Sequence, residues 1–272
     1  MSGPIRGGIR LLLIRHGESV DNAKNLAKHL SERDDVRDAS ATVLFASDLE
    51  RAWHTADVVR EALSIAGSPS VADAVVQSRD LREKHFGSLE GVKLGRLGPM
   101  ASSHQPADKP ETSDSMMVRA YAFLRAHLIP IVEAYRARAE ADPERVETVV
   151  VVSHGILLNH LVRALLGLFQ QAGRPILGLT IDHGPGQANL HLPWRNTGYC
   201  ECWIGFTGSS PESEEPVAQP VSGAPLAGLQ LEVLGINCIE HLASLKKTRG
   251  GIGSAKFDAS QKTLDTFFTK KP

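Results

Sequence analysis

Leu11-Leu12-Leu13-Ile14-Arg15-His16-Gly17-Glu18-Ser19 is the stretch that decides the fold. Its apolar run stops abruptly at Arg-His-Gly. A run so short and uniformly apolar suits a strand buried on both faces, as in a parallel sheet, rather than a half-exposed strand that alternates. A second run, Val149–Val152, ends in Ser153-His154-Gly155 and passes straight into a helical pattern with Leu157, Leu158, Leu161 and Leu165 on one face. In open α/β sheets ligands sit beyond the carboxyl ends of the strands, so two strands ending in histidine can bring both rings to one crevice. The glycine after each histidine lets backbone come close to a ligand and leaves helix N–H groups free for an anion.

Outward from these two runs, Thr42–Ala46 is a third short apolar segment, and Leu177–Ile181, Tyr199–Phe206 and Gln230–Val233 resemble later strands. Between them, Val20–Ser31, Leu49–Ile65, Ser115–Ala141 and Ile156–Leu168 have helical spacing. Strand alternating with helix predicts an α/β fold: a three-layer sandwich with a mostly parallel central sheet flanked by helices. After Thr42–Ala46, Ser47 with Glu50 three residues on forms a capping-box pattern, which predicts a helix start there. Arg51 then falls in the first helical turn, where the helix dipole disfavours a cation. A bound anion would resolve that conflict. Arg15, Arg51, His16 and His154 around one strand-end crevice would make a phosphate site, since a guanidinium grips phosphate oxygens with two parallel hydrogen bonds. Glu83, in the turn-rich Asp80–Gly87 stretch, is the best candidate for an accompanying acid.

Composition limits the alternatives. The 272 residues are 42% hydrophobic with a net charge of −1, enough for a sizeable core and too balanced for a globally basic nucleic-acid binder. No apolar run approaches the roughly 18 residues of a membrane span. The opening MSGPIRGGIR lacks the plan of a secretory signal, and Cys200, Cys202 and Cys238 fit neither a disulfide framework nor a zinc site. The expectation is a cytoplasmic or nuclear protein with reduced thiols, no membrane association and no direct nucleic-acid binding. One domain is expected over residues 9–245. It carries a loop on the active-site side at 92–114 and a Pro/Ser/Glu-rich disordered insertion at 208–225, and a basic flexible tail follows at 246–272.

Four motifs carry a resemblance: Leu12–Ser19; Ser47-Asp48-Leu49-Glu50-Arg51-Ala52 with Thr55-Ala56; Leu81-Arg82-Glu83 with Phe86-Gly87 and Leu89-Glu90-Gly91; and Val152-Ser153-His154-Gly155. In this order they resemble the histidine phosphatase (phosphoglycerate mutase-like) superfamily over about residues 9–207. The resemblance implies that His16 is a nucleophile forming a phosphohistidine and that Arg15, Arg51 and His154 hold the phosphoryl group. It also implies that Glu83 protonates the leaving oxygen and later activates water, and that Asn22 contacts the transferred phosphate. It implies no metal and no cofactor. The family's mutases have a tyrosine where this chain has Phe86, and basic residues that Gly91-Val92-Lys93-Leu94 does not reproduce well. The resemblance therefore points to the fructose-bisphosphatase-like, broad-specificity phosphatase branch acting on a small phosphorylated metabolite, with a phosphoglycerate mutase as the alternative. One departure stands out. Members usually carry a longer segment after the Asn22 position, including D-x-P-L-T-x-x-G, that helps wall the pocket; here Asn22 leads directly into Ala23–Leu30.

The tail has its own message. Gln261-Lys262-Thr263-Leu264-Asp265-Thr266-Phe267-Phe268 resembles the PCNA-interacting peptide of sliding-clamp clients. Gln261, Leu264, Phe267 and Phe268 match its anchor positions, in a tail that holds seven basic and two acidic side chains. Paired phenylalanines in a polar segment suit a binding anchor that orders on its partner. A third functional class follows: a non-catalytic PCNA-binding adaptor in which the shortened segment after Asn22 has degraded the pocket.

Overall fold

A computed structural model describes residues 7–68, 70–90, 108–178, 191–206 and 226–243. Residues 208–225, the tail at 246–272 with its motif at 261–268, and residues 92–107 of the expected loop lie outside the described residues. The elements in chain order are β1 (Gly8–Arg15), α1 (Val20–Glu32), α2 (Asp34–Arg37), β2 (Ala41–Ser47), α3 (Glu50–Ile65), β3 (Val76–Ser78), α4 (Ser113–Phe123), α5 (Ile129–Ala141), β4 (Val146–Ser153), α6 (Gly155–Gln171), β5 (Ile176–Leu177), β6 (Tyr199–Phe206) and β7 (Leu229–Cys238).

The strands form one mixed, mostly parallel sheet in the order β3-β2-β4-β1-β6-β7-β5, with helices on both faces. β3, β2, β4 and β1 are mutually parallel, and β6 runs antiparallel to both β1 and β7. Side chains alternate along β1 and β4, so Leu11, Leu13, Val149 and Val151 pack under α4 and α6, whereas Leu12, Ile14, Val150 and Val152 pack under α1 and α3. The apolar runs are therefore two-faced cores. Truncating one of these leucines to alanine should cost about 2–5 kcal/mol.

Register positions the site. Arg15 pairs with Ser153, so His16 and His154 leave the sheet side by side. On the next strands Ala46 pairs with Val152 and Ser47 with Ser78, so the chain turns toward Arg51 and Glu83 at the same edge.

Three sequence expectations need adjustment. The helix expected at Ser115–Ala141 begins at Ser113, taking the end of the 92–114 stretch with it, and is interrupted by a π turn at Leu124–Leu128. Pro130 lies just beyond and has no N–H to bond one turn back, which widens the helix there. The strand expected at Leu177–Ile181 is present only as Ile176–Leu177, residues 179–190 being outside the described set. Ser47 is not the cap of α3. It ends β2, buried, its hydroxyl accepts from Leu49 N–H, and the cap position falls on Leu49 without a side-chain bond. Cys200, Cys202 and Cys238 are free thiols. Among the described residues no helix is long and apolar enough to cross a membrane.

Candidate active site

His16 lies just past β1 and its backbone is tied on several sides. Its N–H donates to Ser153 O (2.9 Å), and the next amide, Gly17 N–H, donates to Thr55 Oγ1 (3.1 Å). The ring is almost fully buried and its Nδ1 lies 2.9 Å from Gly17 O. A carbonyl can only accept, so Nδ1 carries the proton and Nε2 presents a lone pair. Arg51 Nε donates to that lone pair at 3.0 Å, and Arg51 Nη2 lies 3.3 Å from His154 Nδ1. The two imidazoles stand 4.8 Å apart, tilted by 59°. Arg15 reaches the same place from the end of β1, its Nη1 fixed on Trp194 O at 2.7 Å.

Burial, with repulsion from Arg51 and Arg15, pushes the His16 pKa down to about 4 against the opposing bond to Gly17 O. Burial, then His16 and the same two arginines, push His154 down to about 2. Both rings are therefore neutral near pH 7. His154 Nε2 and Arg15 Nε are buried without a hydrogen-bond partner. Buried donors left unpaired cost on the order of 1–3 kcal/mol each unless a ligand takes them.

Glu83 arrives after the 3-10 turn Arg79–Leu81 and sits against the N-terminus of α6. Its carboxylate accepts Leu157 N–H (3.2 Å) and Ile156 N–H (3.3 Å), and also Lys84 N–H (3.0 Å). α6 has no capping side chain of its own, because His154 occupies the cap position without bonding back. Glu83 thus caps the helix that begins beside His154. Asn22 is half-buried in the first turn of α1, where its Oδ1 accepts from Ser19 Oγ at 2.7 Å and its N–H donates to the same hydroxyl at 3.2 Å. The structure thus brings Arg15, His16, Arg51, His154 and Glu83 together, and gives Asn22 a local bond to the α1 cap. Gln261, Leu264, Phe267 and Phe268 lie outside the described residues.

The sequence matches the profile of the histidine phosphatase superfamily (branch 1) over residues 11–180. The chain belongs to that superfamily. It is a phosphatase-type enzyme. A probable phosphatase of Schizosaccharomyces pombe is 28% identical, the match covering 95% of this chain and 79% of that protein. A probable phosphoglycerate mutase of Erwinia tasmaniensis is 29% identical over 61% of this chain and 79% of its own length. Among solved structures, a mycobacterial glucosyl-3-phosphoglycerate phosphatase superposes with a TM-score of 0.49 at 20% identity, covering 84% of this chain and 98% of that one.

The segment carrying Glu83 is held by residues that sequence reasoning missed. Arg119, on α4, donates through Nη1 to Asp80 O (2.9 Å) and Arg82 O (3.0 Å) while its Nε and Nη2 grip both oxygens of Glu111 at 2.7 Å. Glu111 in turn takes His85 N–H (3.2 Å), and its own N–H donates to His85 O (2.7 Å). The segment carrying Glu83 is thereby clamped on both sides. Ser153 Oγ, donating to Leu81 O at 2.7 Å, ties the same segment to β4. Arg82 pairs with Asp48 through two bonds of 2.7 and 2.6 Å. Nothing in the spacing of Glu111 and Arg119 marks them; their signal is the fold itself. Among the described residues no three His, Cys, Asp or Glu side chains are grouped to hold a metal ion.

Proposed function

We propose that the chain hydrolyses phosphomonoesters through a phosphohistidine on His16, without a metal or other cofactor, and that its substrate is a small sugar phosphate or similar metabolite. The observation that carries this reading is the concentration of donors around His16: the Arg15 and Arg51 guanidiniums, together with His154 Nε2 and Arg15 Nε, which are buried without a hydrogen-bond partner. A phosphate dianion offers acceptors and negative charge for all of them.

The steps follow from the bonds. Arg51 Nε holds the Nε2 lone pair of His16. A phosphoryl oxygen is the stronger acceptor, so binding draws Arg51 onto the phosphate and frees the lone pair. Nε2 then attacks phosphorus, the bond to the ester oxygen breaks, and Glu83, having taken up a proton from solvent before this step, gives it to that oxygen. Water attacks the phosphohistidine as Glu83 takes a proton from it; the N–P bond breaks and phosphate leaves with His16 restored. Arg15, Arg51 and His154 stabilise the charge that spreads over the phosphoryl oxygens in both halves. Asn22 is proposed as a further phosphate contact, reached by turning its amide from Ser19.

Phe86 and the Gly91–Leu94 stretch favour the broad-specificity phosphatase branch over a mutase. The convergence of the five residues also favours an enzyme over an adaptor: the shortened connection after Asn22 lets Ser19 cap α1 directly, and His16, Arg51 and His154 still meet. Turnover of p-nitrophenyl phosphate and a panel of sugar phosphates tests the reading. Release of inorganic phosphate that depends on His16 is expected. Interconversion of phosphoglycerates without phosphate release would replace it with the mutase, and no turnover of either kind would leave the adaptor.

We further propose that the tail binds PCNA through Gln261, Leu264, Phe267 and Phe268, in the cytoplasm or nucleus, on the strength of the motif's spacing. Full-length protein should bind PCNA in calorimetry and lose binding on Phe267→Ala with Phe268→Ala. Equal binding by both would end the idea.

A further inference from the structure

We propose that Thr197, held in place by His241, is a positioning residue for the His16 nucleophile. The inference rests on His16 being that nucleophile.

Thr197 precedes β6 and touches the nucleophile's turn in two ways. Its N–H lies 3.0 Å from Arg15 O and 3.4 Å from His16 O, so one amide donor spans the carbonyls on either side of the His16 N–Cα–C unit. Its methyl lies where a Cβ on Gly17 would come within 3.2 Å, so it packs against the residue that follows. Arg15 N–H returns a bond to Gly198 O at 3.0 Å, closing the turn.

Thr197 does this with φ at +57°, in the left-handed region. Glycine is the usual occupant there, and a β-branched residue is strained. What holds a threonine in that conformation is its hydroxyl. Thr197 Oγ1 donates to Asn196 O at 2.6 Å and, its one proton used, accepts from His241 Nε2 at 2.9 Å. Both side chains are buried. His241 comes from the 3-10 turn Glu240–Leu242 that follows β7, and its ring packs 5.5 Å from His29 and 6.2 Å from Tyr199. A strained residue fixed by a bond from a remote segment, in direct contact with the nucleophile's backbone, suits a site that must be held still. Thr197 and His241 both lie beyond the residues 11–180 that match the superfamily profile.

The test uses the full chain and p-nitrophenyl phosphate. Thr197→Val keeps the backbone N–H and the branched shape but loses the hydroxyl; His241→Leu removes the donor. Each should lower kcat roughly 10- to 100-fold with KM little changed, since small misplacements of a reacting group cost that much. Thr197→Ser and His241→Gln, which keep the hydroxyl and a donor, should regain most of it. A second readout is the long-range proton–nitrogen NMR spectrum of His16, expected to show the Nδ1–H tautomer in the wild type and a mixture in Thr197→Val. Unchanged kcat and an unchanged His16 spectrum in folded Thr197→Val would overturn the proposal, as would Thr197→Ser as impaired as Thr197→Val. If His16→Ala keeps full turnover, the nucleophile assignment fails instead, and the His16 spectrum still decides whether Thr197 and His241 hold its turn.

Discussion

Strand β1 carries an arginine near each end, and the fold treats the two in opposite ways. Arg10 is buried against Glu201 and Asp35, and Arg33 completes the group, gripping Glu201 and Asp35 with bonds of 2.8 to 3.0 Å. Two guanidiniums meet two carboxylates. Burial works to raise the Glu201 carboxyl, but Arg33 and Arg10 outweigh it and hold the group below the usual range. At the other end Arg15 and Arg51 face neutral imidazoles and a backbone carbonyl, with Glu18 3.7 Å from Arg15 and largely exposed. Breaking a buried ion pair costs about 3–5 kcal/mol, whereas Arg51 is exposed and Arg15 half-buried, so solvent screens the charge at their end. The matched end locks β1 to β6 and α1. The other end gathers donors without a buried carboxylate facing them, which suits the proposed phosphate.

Substitutions can break this contrast. The largest effect is expected for His16→Ala, which removes the attacking atom and should lower kcat roughly 10⁴-fold or more in a phosphate-release assay. Arg51→Ala should cost about 10²–10³ in kcat, as loss of one charge-stabilising donor does elsewhere. Arg119→Ala, which unclamps the Glu83 segment, should cost about 10- to 100-fold, and Arg119→Lys should not restore it, because an ammonium cannot grip both Glu111 oxygens and two carbonyls at once. Glu201→Gln reverses the pattern: kcat and KM stay near wild type while denaturant unfolding shows a loss of about 3–5 kcal/mol. Were Glu201→Gln to abolish turnover at unchanged stability, the two ends would not be separable.

Acid stability separates the two ends by pH. His16 and His154 are neutral in the fold but take up protons at about pH 6.5 when unfolded. The unfolded chain then binds more protons, so stability falls as pH drops below 6.5, by up to about 1.4 kcal/mol per pH unit for each ring. That loss runs down to about pH 4 for His16 and about pH 2 for His154. Glu201 and Asp35 have lowered pKa values, so their contribution is full above the ordinary carboxylate range and is lost only below it. Melting temperatures from pH 7 to 4.5 should therefore decline in wild type and decline less in His154→Gln, and inorganic phosphate should raise them.

How much of this is legible in the sequence follows from the range of each interaction. Arg15, His16 and His154 are legible because each directly follows or ends an apolar run, and register alone sets them side by side. Arg51 is legible as a cation in the wrong turn of a helix. Glu83 is visible only as a carboxylate in a turn-rich stretch; that it caps α6 from 73 and 74 residues away is not. Ser47 misleads because the capping-box spacing is met while strand pairing with Ser78 keeps it in the sheet. Arg119, Glu111, Thr197 and His241 carry no local mark. Each is an ordinary residue of its helix or turn until the sheet order brings it to the strand ends.

The most direct test of the central claim is a trapped phosphoenzyme. Enzyme quenched during turnover of p-nitrophenyl phosphate and digested for mass spectrometry should carry one acid-labile phosphoryl group, on the peptide containing His16 and assigned to that residue. Phosphorylation on another residue, or turnover with no phosphorylated His16 at any quench time, would contradict it.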